Sequence, residues 1–334
     1  MQLLHSIVGN TSKIRDLSKM ESIAGTATLT KNMGVKFGEK ILIVTDTLKK
    51  VREAAIFFET AKKYTDSVSL VELSAASENA QEPPKKVVDM MNEADVALLV
   101  TTYSLTHTNA VSTSQKHGTR VASMPGITHE VILRTLTIDY DEVAALSKTI
   151  ASILTKGSKA FLKSANGTDM IFDLKGRSGY ADTGWYHTSG DSGNLPAGEA
   201  YIAPKQDETE GLLVFDGIFG HGVVDQPIMV RIEKGHAVDI KGGEGARLLN
   251  LTLSRIGKNG YNIAELGVGT NKKARLDSIL LEVEKVFETV HVAIGNNAYI
   301  GGEVDVPFHS DGVLVKPTLK VDTTYILKNG KFQL

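Results

Sequence analysis

The chain contains no cysteine. That excludes disulfides, thiolate catalysis, iron–sulfur clusters and cysteine-based zinc fingers, so a metal would have to be held by His, Asp, Glu, Tyr or backbone oxygen. It also lacks an excess of charge of either sign. The 37 Lys and Arg against 39 Asp and Glu leave a net charge of -2, which gives no electrostatic footprint for nucleic acid or an anionic membrane. Long apolar runs are missing too. Stretches such as Val96-Ala97-Leu98-Leu99-Val100 fall far short of the roughly 20 residues that span a bilayer. The N-terminal MQLLHSIVGNTSK has no basic region followed by a long apolar stretch, so no signal peptide and a cytoplasmic location are expected.

What is present is an ordinary globular composition, 42% hydrophobic over 334 residues, enough for two domains or one large one. The first part alternates strand and helix. Ile41-Leu42-Ile43-Val44 is a continuous apolar run after Gly38, as expected of a strand covered on both faces. Leu48, Val51, Ala55, Phe58 and Ala61 then recur at helical spacing. Further strands are expected at Ser67–Val71, Ala97–Val100 and Arg120–Met124, with helices around Val87 to Met91 and Ala110 to Lys116. This repetition implies a mainly parallel sheet with right-handed crossovers. The first strand ends in Val44-Thr45-Asp46 with no GxGxxG after it, and Gly267-Val268-Gly269-Thr270-Asn271-Lys272 is not a P-loop. The first domain is therefore read as Rossmann-like but not nucleotide-binding.

A long helix is expected from about Asp141 to Lys156, with Val143, Leu146, Ile150, Ile153 and Leu154 buried and Gly157 at the position after its end. Beyond it, hairpin signals appear at Asn166-Gly167, Lys234-Gly235 and Asn329-Gly330. Helices become fewer, the clearest being Ala246 to Ile256 and Ser278 to Phe287. The fold class expected is α/β: an N-terminal, mainly parallel sheet domain over 1–158 and a C-terminal α+β domain over 159–334, rich in antiparallel strands.

Ligand-type side chains gather in the second half. In His309-Ser310-Asp311, an extended backbone turns imidazole and carboxylate to one face, and both are standard ligands of divalent ions. Glu265 interrupts the apolar strand Ile263 to Val268, where an unpaired carboxylate is costly to bury. His291 opens the apolar Val292-Ala293-Ile294, and Glu199 follows Pro196 and Gly198. Taken singly, each is an ordinary strand-end or turn residue. Together they point to a metal site. The loop Asp182 to Asp191 holds the only tryptophan and either lines a pocket or packs onto the core. His221 is expected to be structural, and His107, His117 and His129 are assigned to the first domain, away from the ligands.

The second half resembles the aminopeptidase T family of metallo-aminopeptidases. The resemblance lies in the order Asn194 to Glu199, Glu265-Leu266, His291 to Gly295, Gly301-Gly302 and His309-x-Asp311. It implies a centre of two divalent ions (Zn, Co or Mn) held by Glu199, Glu265, His291, His309 and Asp311. It also implies a proton carrier among Glu199, Glu265 and Tyr299. The expected activity is removal of N-terminal residues from small peptides by a metal-activated water, and the resemblance implies a homodimer. The stretch from His291 to His309 is shorter than in those peptidases, which implies a reshaped substrate pocket. The alternative comes from the dihydroxypyridine ring-cleaving dioxygenases, which resemble the same fold and keep the late His-x-Asp. His291, His309 and Asp311 have the two-His, one-carboxylate composition of a mononuclear Fe(II) site.

Overall fold

The computed structural model describes residues 3–9, 13–48, 51–220, 222–276 and 279–334. The chain divides into two compact units, Met1–Asp141 with Gly184–Ala197, and Glu142–Thr183 with Gly198–Leu334.

The first unit is built on a six-stranded sheet of order β1-β3-β2-β4-β5-β9. These strands are Leu4–Gly9 (β1), Ile41–Asp46 (β2), Val68–Leu73 (β3), Val96–Val100 (β4), Arg120–Ser123 (β5) and Ser192–Asn194 (β9). Every residue of β2 and β4 is buried, as an apolar run must be when helices cover both faces of a sheet. All neighbours pair in parallel except β1, which runs antiparallel to β3. The connecting helices are Lys19–Ala27 (α1), Val51–Ala61 (α2), Lys85–Asn92 (α3), Asn109–Lys116 (α4) and His129–Thr135 (α5). Their starts are chemically marked: Ser18 and Glu21 form a capping box on α1, and Thr108 and Thr128 cap α4 and α5. Strands β1 and β9 were not foreseen, because LHSIVG mixes polar and apolar residues and Ser192-Gly193-Asn194 carries no apolar pattern at all.

The loop with the tryptophan belongs to this first unit. Asn32 Nδ2 donates to the Gly184 carbonyl at 2.9 Å, and the Tyr186 hydroxyl donates to the Asn194 carbonyl at 2.8 Å. Trp185 stacks on His187 with ring centres 5.8 Å apart.

The second unit holds two antiparallel sheets. One has the order β13-β12-β18-β17-β16-β10-β8. Its strands are Gly179–Asp182 (β8), Glu199–Ile202 (β10), Ile218–Phe219 (β12), Gly222–Val223 (β13), Ile263–Gly269 (β16), Val290–Gly295 (β17) and His309–Leu314 (β18). The other has the order β15-β14-β11-β7-β6-β19-β20-β21. Its strands are Lys159–Lys163 (β6), Asp169–Asp173 (β7), Lys205–Phe215 (β11), Ile228–Glu233 (β14), His236–Lys241 (β15), Thr318–Val321 (β19), Thr324–Lys328 (β20) and Lys331–Phe332 (β21). The three hairpin signals fall where expected, between β6 and β7, β14 and β15, and β20 and β21. Lys234 and Gly235, and Asn329 and Gly330, each take two successive positive φ angles, the backbone that a two-residue hairpin of native twist requires.

One apolar cluster joins both sheets to the helices Tyr140–Lys156 (α6) and Glu244–Ile256 (α7). Ile150, Leu154, Phe172, Phe215, Leu253, Leu266, Val292 and Leu314 all belong to it. Gly157 does follow α6, but not for a left-handed cap: a Cβ there would lie 2.2 Å from Val321 Cγ1. Close packing demands the glycine. The helix expected over Ser278 to Phe287 is only the single turn Leu280–Val283 (α8), and Ser278 itself lies outside the described residues, as do Lys49, Lys50 and His221. The physical reason is the pairing of Asn271 with this segment. Its N–H donates to the Lys285 carbonyl and its carbonyl accepts from Phe287 N–H, so backbone groups a helix would use are spent on an isolated bridge. None of the described helices is long and apolar enough to cross a membrane.

Candidate metal centre

Strands β10, β16, β17 and β18 are neighbours, and their register decides which side chains meet. Glu199 pairs with Gly269, Gly267 with His291, Glu265 with Ala293, Ala293 with Asp311, and Gly295 with His309. Paired residues share a face, and so do residues two apart. All five ligand-type side chains therefore leave the same side of the sheet. The intervening Ala200, Ile202, Leu266, Val268, Val290, Val292, Ile294 and Leu314 point the other way, into the core.

On the polar face the partners are close. His291 Nε2 lies 3.1 Å from Glu265 Oε1 and 3.3 Å from Glu199 Oε2. His309 Nε2 lies 3.3 Å from Asp311 Oδ2 and 3.8 Å from Glu265 Oε2. Glu265 thus stands between the two imidazoles, with one oxygen toward each. Glu199, Glu265 and His291 offer ligand atoms all within 4.8 Å of one another, an arrangement able to hold a metal ion. All three are buried, and so is Asp311. Glu199 Oε2, His291 Nδ1 and Asp311 Oδ1 are buried without a hydrogen-bond partner, a costly state that a cation on the carboxylates would relieve.

The ring of His309 is oriented from outside the group. Its Nδ1 lies 2.8 Å from the Asn296 carbonyl, a contact that places a proton on Nδ1 and makes Nε2 the nitrogen that could face a metal ion. Tyr299, in the short turn Ala298–Ile300, sets its hydroxyl 3.1 Å from His309 Nδ1 and 3.2 Å from Nε2, while half of its surface remains exposed (51%).

Without a metal, the charges titrate one another. Burial raises the Glu265 carboxyl, against the hydrogen bond from His291. Burial works against a charged His291, but the Glu265 hydrogen bond and the Glu199 charge prevail and lift it to about 9. His309 is lifted to about 10 by Asp311 despite its burial. Asp311, which burial alone would raise, is held at about 2 by His309.

Two residues essential to this geometry carry no motif. Gly267 faces His291 across β16 and β17, and a Cβ there would lie 1.9 Å from His291 Nε2. Lys285 is buried, with Nζ 2.8 Å from Glu199 Oε1 and 2.9 Å from Glu284 Oε2. It falls inside the helix expected over Ser278 to Phe287, and the sequence reading did not single it out. A lysine directly after Glu284, among Leu281, Val283, Val286 and Phe287, was the available signal.

The fold and this group define a mixed α/β protein with a buried His and carboxylate cluster able to hold a metal ion. The family model for NicX, 2,5-dihydroxypyridine 5,6-dioxygenase, matches residues 24–334, and the chain belongs to that family. Among solved structures it is similar to the 2,5-dihydroxypyridine dioxygenase of Pseudomonas putida, at 20% identity and a TM-score of 0.80, covering 97% of this chain and 98% of that one. It is also similar to wild-type AmpT from Thermus thermophilus, at 14% identity and a TM-score of 0.68, covering 94% and 99%. None of the curated proteins compared matches the sequence. The expected hydrolase assignment is thereby corrected: the family is one of dioxygenases, and the likeness to AmpT is one of fold. The short motifs misled because one fold can serve different reactions.

Proposed function

We propose that the chain is a mononuclear Fe(II) dioxygenase that cleaves a dihydroxylated pyridine or a closely similar ring. The observation that supports this reading is that His291, His309 and Asp311 leave one sheet face on either side of Glu265, within the span matched by the dioxygenase family. Two imidazoles and a carboxylate suit ferrous iron and leave positions open. The orphaned Asp311 Oδ1 and Glu199 Oε2 are the buried atoms that such a cation would satisfy.

In this reading His291, His309 and Asp311 hold the iron, and Glu265, placed between the imidazoles, is a further ligand or a hydrogen-bond acceptor for substrate. Bound ferrous iron supplies the one-electron chemistry by which molecular oxygen reacts with a hydroxylated ring. The Asn296 carbonyl fixes the His309 tautomer. Tyr299, half exposed beside His309, presents a hydroxyl that would bond a ring hydroxyl and orient the substrate.

The test is oxygen uptake. Metal-free protein is loaded anaerobically with one equivalent of Fe(II) and mixed with oxygen and 2,5-dihydroxypyridine. Uptake of one oxygen per ring, with loss of the ring's ultraviolet absorbance, is expected. No uptake with that ring or its dihydroxylated isomers would sink the proposal.

A further inference from the structure

Tyr299 lies two residues from a carbonyl that an arginine near another strand holds. Its segment, residues 296–308, joins β17 to β18 and contains one helical turn, Ala298–Ile300. The segment folds around buried Asn297, whose N–H donates to the Val304 carbonyl at 2.9 Å and whose Oδ1 accepts from Val304 N–H at 2.9 Å. That bracing is internal. A hold from outside comes from Arg177, just before β8. Its Nη1 donates to the Gly301 carbonyl at 2.7 Å and its Nη2 to Glu303 Oε1 at 2.9 Å. The Arg177 side chain is 15% exposed and its Nε is buried without a hydrogen-bond partner, whereas the Glu303 side chain is 80% exposed. An ion pair to so exposed a carboxylate contributes little, so the Gly301 carbonyl is the effective point of hold. Gly301 also lies over β8: a Cβ there would stand 3.2 Å from the Tyr180 hydroxyl, and Tyr180 stacks on Tyr201 of β10 with ring centres 5.8 Å apart.

We propose that Arg177 is a positioning residue: by holding the Gly301 carbonyl it fixes the Tyr299 hydroxyl beside His309, and so sets the affinity for a hydroxylated ring. This rests on the substrate-orienting role given to Tyr299 above. A hydroxyl on a turn that is already ordered loses little freedom when it bonds a ligand, whereas one on a loose turn must be ordered at that moment, at a cost in affinity. The hydrogen bonds of Arg177 go to the turn and not to His291, His309 or Asp311. Its loss should therefore weaken ring binding and leave metal binding intact.

The first readout needs neither metal nor substrate: fluorine NMR of metal-free protein with fluorotyrosine placed at position 299. With Arg177 present, one narrow resonance displaced from that of free fluorotyrosine is expected. Arg177→Met should move it toward the free position, and Arg177→Lys, which keeps a cationic donor of similar reach, should restore it. Glu303→Ala should leave it in place. The second readout is calorimetric titration of 2,5-dihydroxypyridine into zinc-loaded protein, zinc being redox-silent. Arg177→Met and Tyr299→Phe should each weaken ring binding about fivefold to tenfold, the worth of one hydrogen bond. Added to Tyr299→Phe, Arg177→Met should change it by less than about twofold, because the two residues act as one unit. Zinc per chain should stay at the wild-type value throughout. An unmoved resonance, additive losses of ring affinity or a loss of zinc overturns the proposal. Should Arg177→Met fail to fold, Arg177→Gln, too short to reach Gly301, is read in the same way. A resonance that moves with Arg177 on a protein that binds no ring would overturn the dioxygenase reading and leave the hold on Tyr299 standing. Ring binding with an unmoved resonance would do the reverse.

Discussion

Gly267 and His291 face each other across neighbouring strands, and the imidazole lies in the space a side chain at 267 would fill. A Cβ there would come within 1.9 Å of His291 Nε2 and 2.3 Å of Cε1. His291 is fully buried, so the ring has nowhere to retreat. Gly267→Ala should weaken zinc binding by about 10- to 100-fold, the range seen when a ligand's support is disturbed, while the far-ultraviolet circular dichroism stays native. Titration calorimetry on metal-free protein measures it, and unchanged affinity would show that the ring is not a ligand.

His309 and Asp311 sit two residues apart at the open end of β18, and each has the other as its nearest charged partner. His309→Ala and Asp311→Ala should each reduce oxygen uptake by at least about 100-fold, because each removes one member of a three-ligand set. The circular dichroism should be retained, since both side chains leave the sheet on the face away from the core. Full turnover in either variant would remove that residue from the metal's shell.

Tyr299 contributes a hydroxyl and little packing. Tyr299→Phe should leave metal content unchanged and raise KM for the ring substrate about fivefold to tenfold, the worth of one hydrogen bond. Steady-state kinetics with metal analysis on the same sample decide it. A loss of bound metal would place the tyrosine among the ligands instead.

In the first unit, Glu21 is a buried carboxylate held by several donors. Arg15 Nη2 donates to it at 2.8 Å, His129 Nε2 lies 2.7 Å away, and Ser18 N–H completes the capping box. The Arg15 hydrogen bond, acting against burial, depresses its pKa far below the usual carboxylate range. A depressed folded-state pKa adds stability that is present above the unfolded value and is lost as pH falls through the folded one. Glu21→Gln should therefore cost about 1–3 kcal/mol near neutrality. The gap between variant and wild type should close as the medium becomes strongly acidic. Urea unfolding at a series of pH values follows this, and a gap that widens in acid would contradict the sign.

The continuous apolar runs at Ile41–Val44 and Ala97–Val100 could only be strands covered on both faces, and they are. The paired turn residues at Lys234-Gly235 and Asn329-Gly330 placed two hairpins. The i, i+2 spacing of His309 and Asp311 already turned imidazole and carboxylate to one face of an extended chain. These features were legible because each depends on neighbours a few residues apart in the chain.

The chemistry of the centre was not local. The lack of cysteine and the spacing of His, Glu and Asp determined that a metal, if present, would be held by nitrogen and oxygen. They could not separate a peptidase from an oxygenase, because the same ligand types serve both. Tertiary structure decided what stands next to those ligands. Strand register put Gly267 under His291. The backbone of Asn271 pairs with Lys285 and Phe287, and the segment expected as one helix keeps only the turn Leu280–Val283. A buried ammonium on Glu199 is a contact between residues 86 positions apart. Charge balance in a buried site depends on such contacts, and no sequence window contains them.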